Sequence, residues 1–461
     1  MKKRITLVAL FSAPLILIVQ LIAQPAIASE VREYQLDNGM KIFVKEDHRA
    51  PVVASMVWYK VGSSYEQNGT TGISHVLEHM MFKGTDKHAP GEFSRIIAAN
   101  GGQDNAFTSR DYTAYFQRLH KNRLPISMEL EADRMRNMKV LDEEFAKEIQ
   151  VVMEERRMRT EDDPEALTNE AFNAAAHVNS AYRWPVIGWM SDLENMTAAD
   201  IRAWYKIWYA PNNASLVVVG DVNADEVFEL AKKYFGPLQT DTITPPKPVK
   251  EAPQRGERRI TVKAPAELPY LLMGYKTPVA TGTADEWEPY ALAVLSAILD
   301  DGNSARFAKN LVRGQQIATS AGAGYSPFAR LDGLFMFDGQ PAKGHTIPEL
   351  EKAIRGEIKR LKDELASRDE LARVKAQVIA GEVYQKDSVF YQAMQIGSLE
   401  TIGLDWRLGE QYVDKIKQVT AEQVREVARK YLIDDHLTVA VLEPLPLDQK
   451  QPRRPMSGMK H

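Results

Sequence analysis

The chain has no cysteine at any of its 461 positions. No disulfide can form, and any bound metal must take its ligands from His, Asp or Glu. A charge excess is also missing: 58 Lys and Arg stand against 62 Asp and Glu, a formal net charge of −4. No long basic run follows the N-terminus, which argues against a nucleic-acid binder. Long apolar runs are confined to one, at residues 5–23. What is present suits a folded body. Hydrophobic residues make up 44%, enough for a packed core. The length exceeds one ordinary domain and suits two to four.

Lys2, Lys3 and Arg4 precede the apolar run, and Ala26-Ile27-Ala28 follows it. A positive start, an apolar stretch and a small-x-small end are the layout of a secretory signal peptide cleaved after Ala28. The protein is then exported, and periplasmic if the source is Gram-negative. An uncleaved anchor is the alternative, because the run is long. Pro14 and the Ala-x-Ala end favour cleavage, and the lack of cysteine excludes a lipoprotein anchor.

The patterning predicts an α+β protein. Strands are expected over 31–36, 40–45 and 52–61, the first two joined by the turn Asp37-Asn38-Gly39. Helices are expected around residue 75 and over 125–136 and 142–159, and strands at 113–116 and 216–220. Residues 240–258, rich in Pro, Lys and Thr, read as a linker. The second half then repeats the first in outline. Thr197-Ala198-Ala199-Asp200-Ile201-Arg202 resembles Thr420-Ala421-Glu422-Gln423-Val424-Arg425, and each precedes a helix and an apolar strand. Trp58-Tyr59-Lys60 has its counterpart in Gly274-Tyr275-Lys276. Two duplicated domains are expected, each a mostly antiparallel sheet packed with helices. The expected boundaries are a signal at 1–28, a first domain at 29–240, a linker at 241–258, a second domain at 259–446 and a flexible tail at 447–461.

The chemistry concentrates in His75-Val76-Leu77-Glu78-His79. Positions i and i+4 of a helix share a face, so His75 and His79 can converge on one cation. Glu78 lies close enough on that face to take a proton from a metal-bound water. H-x-x-E-H is the inverted zinc-peptidase signature. Two ordinary helix histidines are the competing reading, since a five-residue pattern recurs by chance. The helix from Asp142 carries Glu148 and Glu155, seven apart and facing one way, with Ile149 and Val152 as an apolar stripe. Glu155 as third ligand with Glu148 behind it is coherent, but spacing alone favours a solvated acidic face.

These residues resemble a known family. The motif continues as Met80-Met81-Phe82-Lys83-Gly84-Thr85, and is followed by Gly101-Gly102-Gln103-Asp104-Asn105-Ala106-Phe107-Thr108-Ser109, Glu148 and Glu155. Together they resemble the pitrilysin/insulinase family of zinc peptidases, and most of all the two-domain subfamily containing the β subunit of mitochondrial processing peptidase. The resemblance spans the chain from Val31 to about Pro444. It implies one zinc per chain on His75, His79 and Glu155. It implies Glu78 as the general base and Glu148 as an acidic residue supporting the site. Asn105 and Ala106 match an edge strand that pairs with the substrate backbone, a mode in which main-chain hydrogen bonds give affinity. Active members also use an Arg and a Tyr from the half without the metal. Val312 and Thr319 occupy those positions here, with Arg313 one residue out of register and Tyr325 further along. Chemically, such groups stabilise an oxyanion or hold the substrate carbonyl. Their absence implies a zinc-bearing half that works with a second family chain, a homodimer being the other pairing.

The function expected is zinc-dependent cleavage of peptides or unfolded segments in the bacterial cell envelope. A non-catalytic scaffold that keeps the fold, and a hydrolase of other esters or amides, are the competing classes. The other seven histidines have no partner at ligand spacing. Trp184, Trp189, Trp204 and Trp208 are expected to pack the first domain, with lining of a substrate chamber as the alternative.

Overall fold

A computed structural model describes residues 30–247 and 249–447. The segment expected to be a signal peptide and most of the expected tail lie outside the described residues. The first half runs β1 (Arg32–Gln35), β2 (Lys41–Glu46), β3 (Val52–Tyr59), α1 (Ile73–Met80), α2 (Glu92–Ala99), β4 (Gln103–Thr108), β5 (Thr113–His120), α3 (Leu124–Asn137), α4 (Asp142–Arg156), α5 (Pro164–Ala176), α6 (Met190–Asn195), α7 (Ala198–Trp208), β6 (Ala214–Gly220) and α8 (Ala224–Phe235). The second runs β7 (Arg258–Pro265), β8 (Tyr270–Thr277), α9 (Glu288–Leu299), β9 (Ala318–Gly324), β10 (Gly333–Pro341), α10 (Ile347–Asp363), α11 (Arg368–Gln385), α12 (Val389–Ile402), α13 (Arg407–Gln418), α14 (Ala421–Tyr431) and β11 (Leu437–Leu445).

The two sheets have one plan. The first is ordered β1-β2-β6-β3-β5-β4 and the second β7-β11-β8-β10-β9. In each, a single parallel pair, β2 with β6 and β7 with β11, interrupts an antiparallel sheet. Omitting β1, the strands correspond one to one, which makes the protein an α+β duplication. The repeated Thr-start segments are both helix N-termini with complete capping boxes, Thr197 with Asp200 and Thr420 with Gln423. The turn after β1 needs Gly39, whose φ is +85°.

The halves are locked by exchanging helices. α12, from the second half, lies on the first sheet, where Ala393 and Ile396 join a core with Met56, Trp58 and Val217. α5, from the first half, lies on the second sheet, where Phe172 and Ala176 meet Leu272 and Ala440. Bulk and space alternate at equivalent positions. A Cβ on Gly397 of α12 would fall 2.1 Å from Trp58 of β3. A Cβ on Gly274, the counterpart of Trp58, would fall 2.6 Å from Phe172 of α5. Close packing leaves no room for a large residue on both sides.

Between α8 and β7 the described residues form no helix or strand, as the Pro-rich composition predicts. The segment is nevertheless fastened. Glu251 accepts hydrogen bonds from the backbone of Val178 (2.9 Å), Asn179 (3.1 Å) and Ser180 (2.7 Å) and pairs with Lys276 of β8. The expected helix at 142–159 ends earlier, because Arg157–Glu161 winds into a π turn after α4. Among the described residues no helix is long and apolar enough to cross a membrane.

Candidate metal centre and substrate cleft

Helix α1 is amphipathic in the required sense. Ile73, Val76, Leu77 and Met80 are buried in the first core, at i, i+3, i+4 and i+7. His75, Glu78 and His79 therefore emerge on the other side. The start of the helix is held by groups the sequence did not advertise. Gly72 takes φ +84°, and the buried Glu66 accepts from the backbone N–H of Gly72 (2.7 Å) and Ser74 (2.9 Å). Burial raises the Glu66 carboxyl to about 7, against those two N–H groups. Asp192 accepts from the backbone of Thr71 and from its hydroxyl (3.1 and 2.6 Å).

α4 brings its glutamates against α1, with Ile149 and Val152 buried beneath. One ligating atom from each of His75, His79 and Glu155 lies within 4.8 Å of the other two. Glu155 Oε2 is 3.3 Å from His79 Nε2 and 3.8 Å from His75 Nε2. Tetrahedral zinc with bonds of ~2.0–2.1 Å sets its ligand atoms about 3.4 Å apart. Small adjustments suffice, so the residues fit zinc. Burial lowers His75 to about 3, helped by His79 and Arg159, so its imidazole is neutral and able to ligate.

His79 Nδ1 faces Glu148 Oε1 at 2.9 Å. A carboxylate only accepts, so Nδ1 carries the proton and Nε2 is left free toward Glu155. Burial would raise Glu148, but hydrogen bonds from His79 and Lys83 hold it below the usual carboxylate range. Lys83 Nζ lies 2.5 Å from its other oxygen. Arg159 similarly pairs with Glu155 Oε1 at 2.7 Å. Burial raises Glu78, opposed by a 2.5 Å hydrogen bond from the Thr108 hydroxyl.

These groups open into a cavity of about 1200 Å³, also lined by Asn105 and Ala106 of β4 and by Ala166, Asn169 and Asn173 of α5. Among the described residues β4 is the last strand of its sheet and pairs only with β5. The Ala106 N–H is taken by its neighbour's Asn105 Oδ1 at 2.9 Å. Ala106 thus turns its backbone polar groups to the unpaired side of the strand. The Asn105 side chain folds back on its own strand.

Residues 41–187 match the family described as "Insulinase (Peptidase family M16)", and residues 195–378 that described as "Peptidase M16 inactive domain". The "Zinc protease PqqE" of Helicobacter pylori is 37% identical over 337 residues, 70% of this chain and 74% of that protein. The chain belongs to the insulinase family, M16.

Two further relatives place it within M16. "The crystal structure of a protease from Helicobacter pylori" superposes with a TM-score of 0.86 at 31% identity, covering 90% of this chain and 100% of that one. The Arabidopsis thaliana protein named "Probable mitochondrial-processing peptidase subunit beta, mitochondrial" is 24% identical over 430 residues, 91% of this chain and 79% of that protein. Both agree with the expected two-domain subfamily.

Among the described residues the second half of this M16 chain contributes little to the cleft, with Tyr270 as its one lining residue. Val312 packs on the second core, and the Thr319 hydroxyl donates to Gln340 O at 3.2 Å. Arg313 donates to Asn303 O at 2.5 Å. The Tyr325 hydroxyl donates to Pro278 O at 2.6 Å, its ring stacked on Phe335. None of the four lines the cavity. One expectation needs correction: Trp184 lines the cleft, with Arg183 over its ring at 4.3 Å, because it follows a short helical turn that carries it out of the core. Trp208 is buried in the core as expected, with Trp204 packed against it. Of the residues missed, Arg159 alone had a sequence signal, lying four after Glu155 on the continuing turn. Glu66, Thr108 and Asp192 reach the site only through chain folding.

Proposed function

We propose that this M16 chain is a zinc-dependent endopeptidase that cleaves peptides or unfolded polypeptide segments. The carrying observation is Glu78, fixed by Thr108, beside the His75–His79–Glu155 cluster and the open edge of β4. Zinc, when bound, supplies the Lewis acid that makes water nucleophilic at neutral pH. Glu78 accepts the water proton, and its raised affinity for protons suits that task. Glu148 orients His79. Ala106 presents its backbone to a peptide added as a strand, its N–H exchanging Asn105 Oδ1 for a substrate carbonyl. The protein is exported through its N-terminal segment and works in the cell envelope, in the periplasm of a Gram-negative source.

Glu78→Gln tests the reading. The variant keeps one zinc, by metal analysis, while peptide cleavage falls by about 10²–10⁴-fold. Cleavage that survives the change removes Glu78 as the base. Zinc bound to a wild-type protein that cleaves no peptide, alone or with a partner, would favour the scaffold class.

The position of Val312, Arg313, Thr319 and Tyr325 outside the cavity supports a catalytic half that works with a second M16 chain. Assays of the chain alone and with a co-purifying partner test this. Full activity from the lone chain refutes it.

A further inference from the structure

The cleft holds a cation without a counter-ion. Among the described lining residues Glu78, Glu165 and Arg183 also lack an ion pair, Arg183 donating to Val178 O at 2.8 Å, while the remaining charges near the metal cluster are matched. Glu155 pairs with Arg159, Glu154 with Arg157 (3.0 Å), and Glu170 with Arg156 (2.8 Å). Arg110 also lines the cavity, half-buried, and among the described residues it forms no ion pair. Its Nη2 donates to the neutral Asn173 Oδ1 at 3.0 Å, and its guanidinium lies 5.2 Å from the centre of the Tyr182 ring. The adjacent carboxylate, Asp111, is not available to it. Asp111 accepts from Ser64 (2.8 Å), from Arg330 Nε (3.3 Å) and from the Tyr182 hydroxyl. Burial pushes the Arg110 guanidinium below its ordinary value, offset only in part by Tyr182 and Asp111. A partly desolvated cation without a charged partner is a cost that an incoming anion relieves.

The place of Arg110 says what that anion is. It follows β4 by two residues, and Thr108 at the end of β4 holds Glu78. Ser109 and Arg110 lie in the turn that joins β4 to β5, where the Ser109 N–H donates to Tyr112 O at 2.8 Å, so the step from Thr108 to Arg110 spans at most about 7 Å. A peptide laid along β4 with its reacting carbonyl at Glu78 therefore passes Arg110 about two or three residues away. Asn173 and Tyr182 hold the guanidinium, so its fork is pre-set for a carboxylate.

We propose that Arg110 is a specificity-determining residue that binds a substrate carboxylate about two or three residues from the scissile bond. The inference rests on the peptidase reading above. The carboxylate comes from an Asp or Glu side chain or from a free C-terminus.

The test uses the zinc-loaded full chain and a short unstructured peptide, with Glu or Gln placed in turn at each position on either side of the cut. Every peptide is made with a free and with an amidated C-terminus. The wild type is expected to prefer one Glu peptide over its Gln twin by about ten- to hundredfold in kcat/KM. Arg110→Gln keeps a donor for Asn173 and brings that ratio close to one. Arg110→Lys, which keeps the charge without the fork, retains part of it and serves if the first variant fails to fold. A preference that follows the amidated Glu peptides assigns a side chain; one that follows the free terminus assigns the chain end. Binding of the same peptides, fluorescently labelled, to the Glu78→Gln protein gives a readout free of turnover. No preference there, or one that persists in Arg110→Gln on that background, overturns the Arg110 proposal. A preference in binding with no cleavage by the wild type, either alone or with its co-purifying partner, overturns the peptidase reading and keeps the carboxylate site.

Discussion

Glu148→Gln isolates how a residue that touches no substrate sets the metal centre. The carboxylate serves two donors at once, His79 Nδ1 at 2.9 Å and Lys83 Nζ at 2.5 Å, one on each oxygen. Glutamine has the same shape but only one oxygen. Whichever donor keeps it, the other faces an amide N–H₂. If Lys83 keeps it, His79 loses the acceptor that fixes its tautomer. If His79 keeps it, a charge-assisted hydrogen bond becomes a neutral one. Charged hydrogen bonds contribute roughly 1.5–3 kcal/mol and neutral ones about 0.5–1.5, so the change removes about 1–2 kcal/mol. That is roughly a five- to thirtyfold loss of zinc affinity, within the range known for partners of metal-ligating histidines. Competition against a chromogenic chelator at neutral pH measures it. The pH dependence has a definite sign. Burial opposes ionisation of Glu148, but His79 and Lys83 prevail and depress it. The contribution is thus present above the ordinary carboxylate range and lost as pH falls through the depressed value. The gap between wild type and variant should narrow on acidification. A variant that binds zinc within twofold of wild type at neutral pH would refute the orientation argument.

Two other perturbations test the scaffold of the site. Gly72→Ala places a Cβ 2.5 Å from Ile187 O at φ +84°, with Gly188 also in the way. Left-handed strain and overpacking together cost about 2–5 kcal/mol, so the urea midpoint should drop, and a midpoint equal to wild type would refute the close-approach argument. Glu251→Gln loosens the fastening between the halves. Burial would raise Glu251, but Lys276 and three backbone N–H groups lower it from 4.5 to about 2. Its contribution is fully present above 4.5 and lost as pH falls toward 2. The variant is expected to be less stable at neutral pH and equal to wild type near pH 2, by thermal unfolding across that window; a pH-independent difference would show that the charge plays no part.

Local patterning made much of the fold legible. β6 is an apolar run fully buried in the middle of its sheet, and its period needs no tertiary help to recognise. The hairpin at Gly39 follows from turn chemistry, and the two capping boxes follow from side chains three residues apart. The π turn at Arg157–Glu161 was not legible, because a helical pattern does not say which register of carbonyls the last turn uses. Trp184 was misplaced for a related reason: hydrophobic bulk predicts burial but not which wall of a cavity it serves.

By itself, the sequence placed the candidate metal-binding groups of one helix. With no cysteine and His75, Glu78 and His79 on one helical turn, helix geometry alone puts two imidazoles and a carboxylate together. It also determined the duplication, through segments whose local chemistry recurs. Tertiary structure decided everything that depends on chain segments meeting. Glu155 joins His75 and His79 because α4 packs on α1, where spacing alone favoured a solvated face. Glu66, Thr108 and Asp192 reach the motif across loops, so no periodicity announces them. The pairing of Trp58 with Gly397, and of Gly274 with Phe172, exists only once each half has lent the other a helix. Dense packing makes each residue's size depend on a partner far along the chain, and a linear pattern does not carry that information.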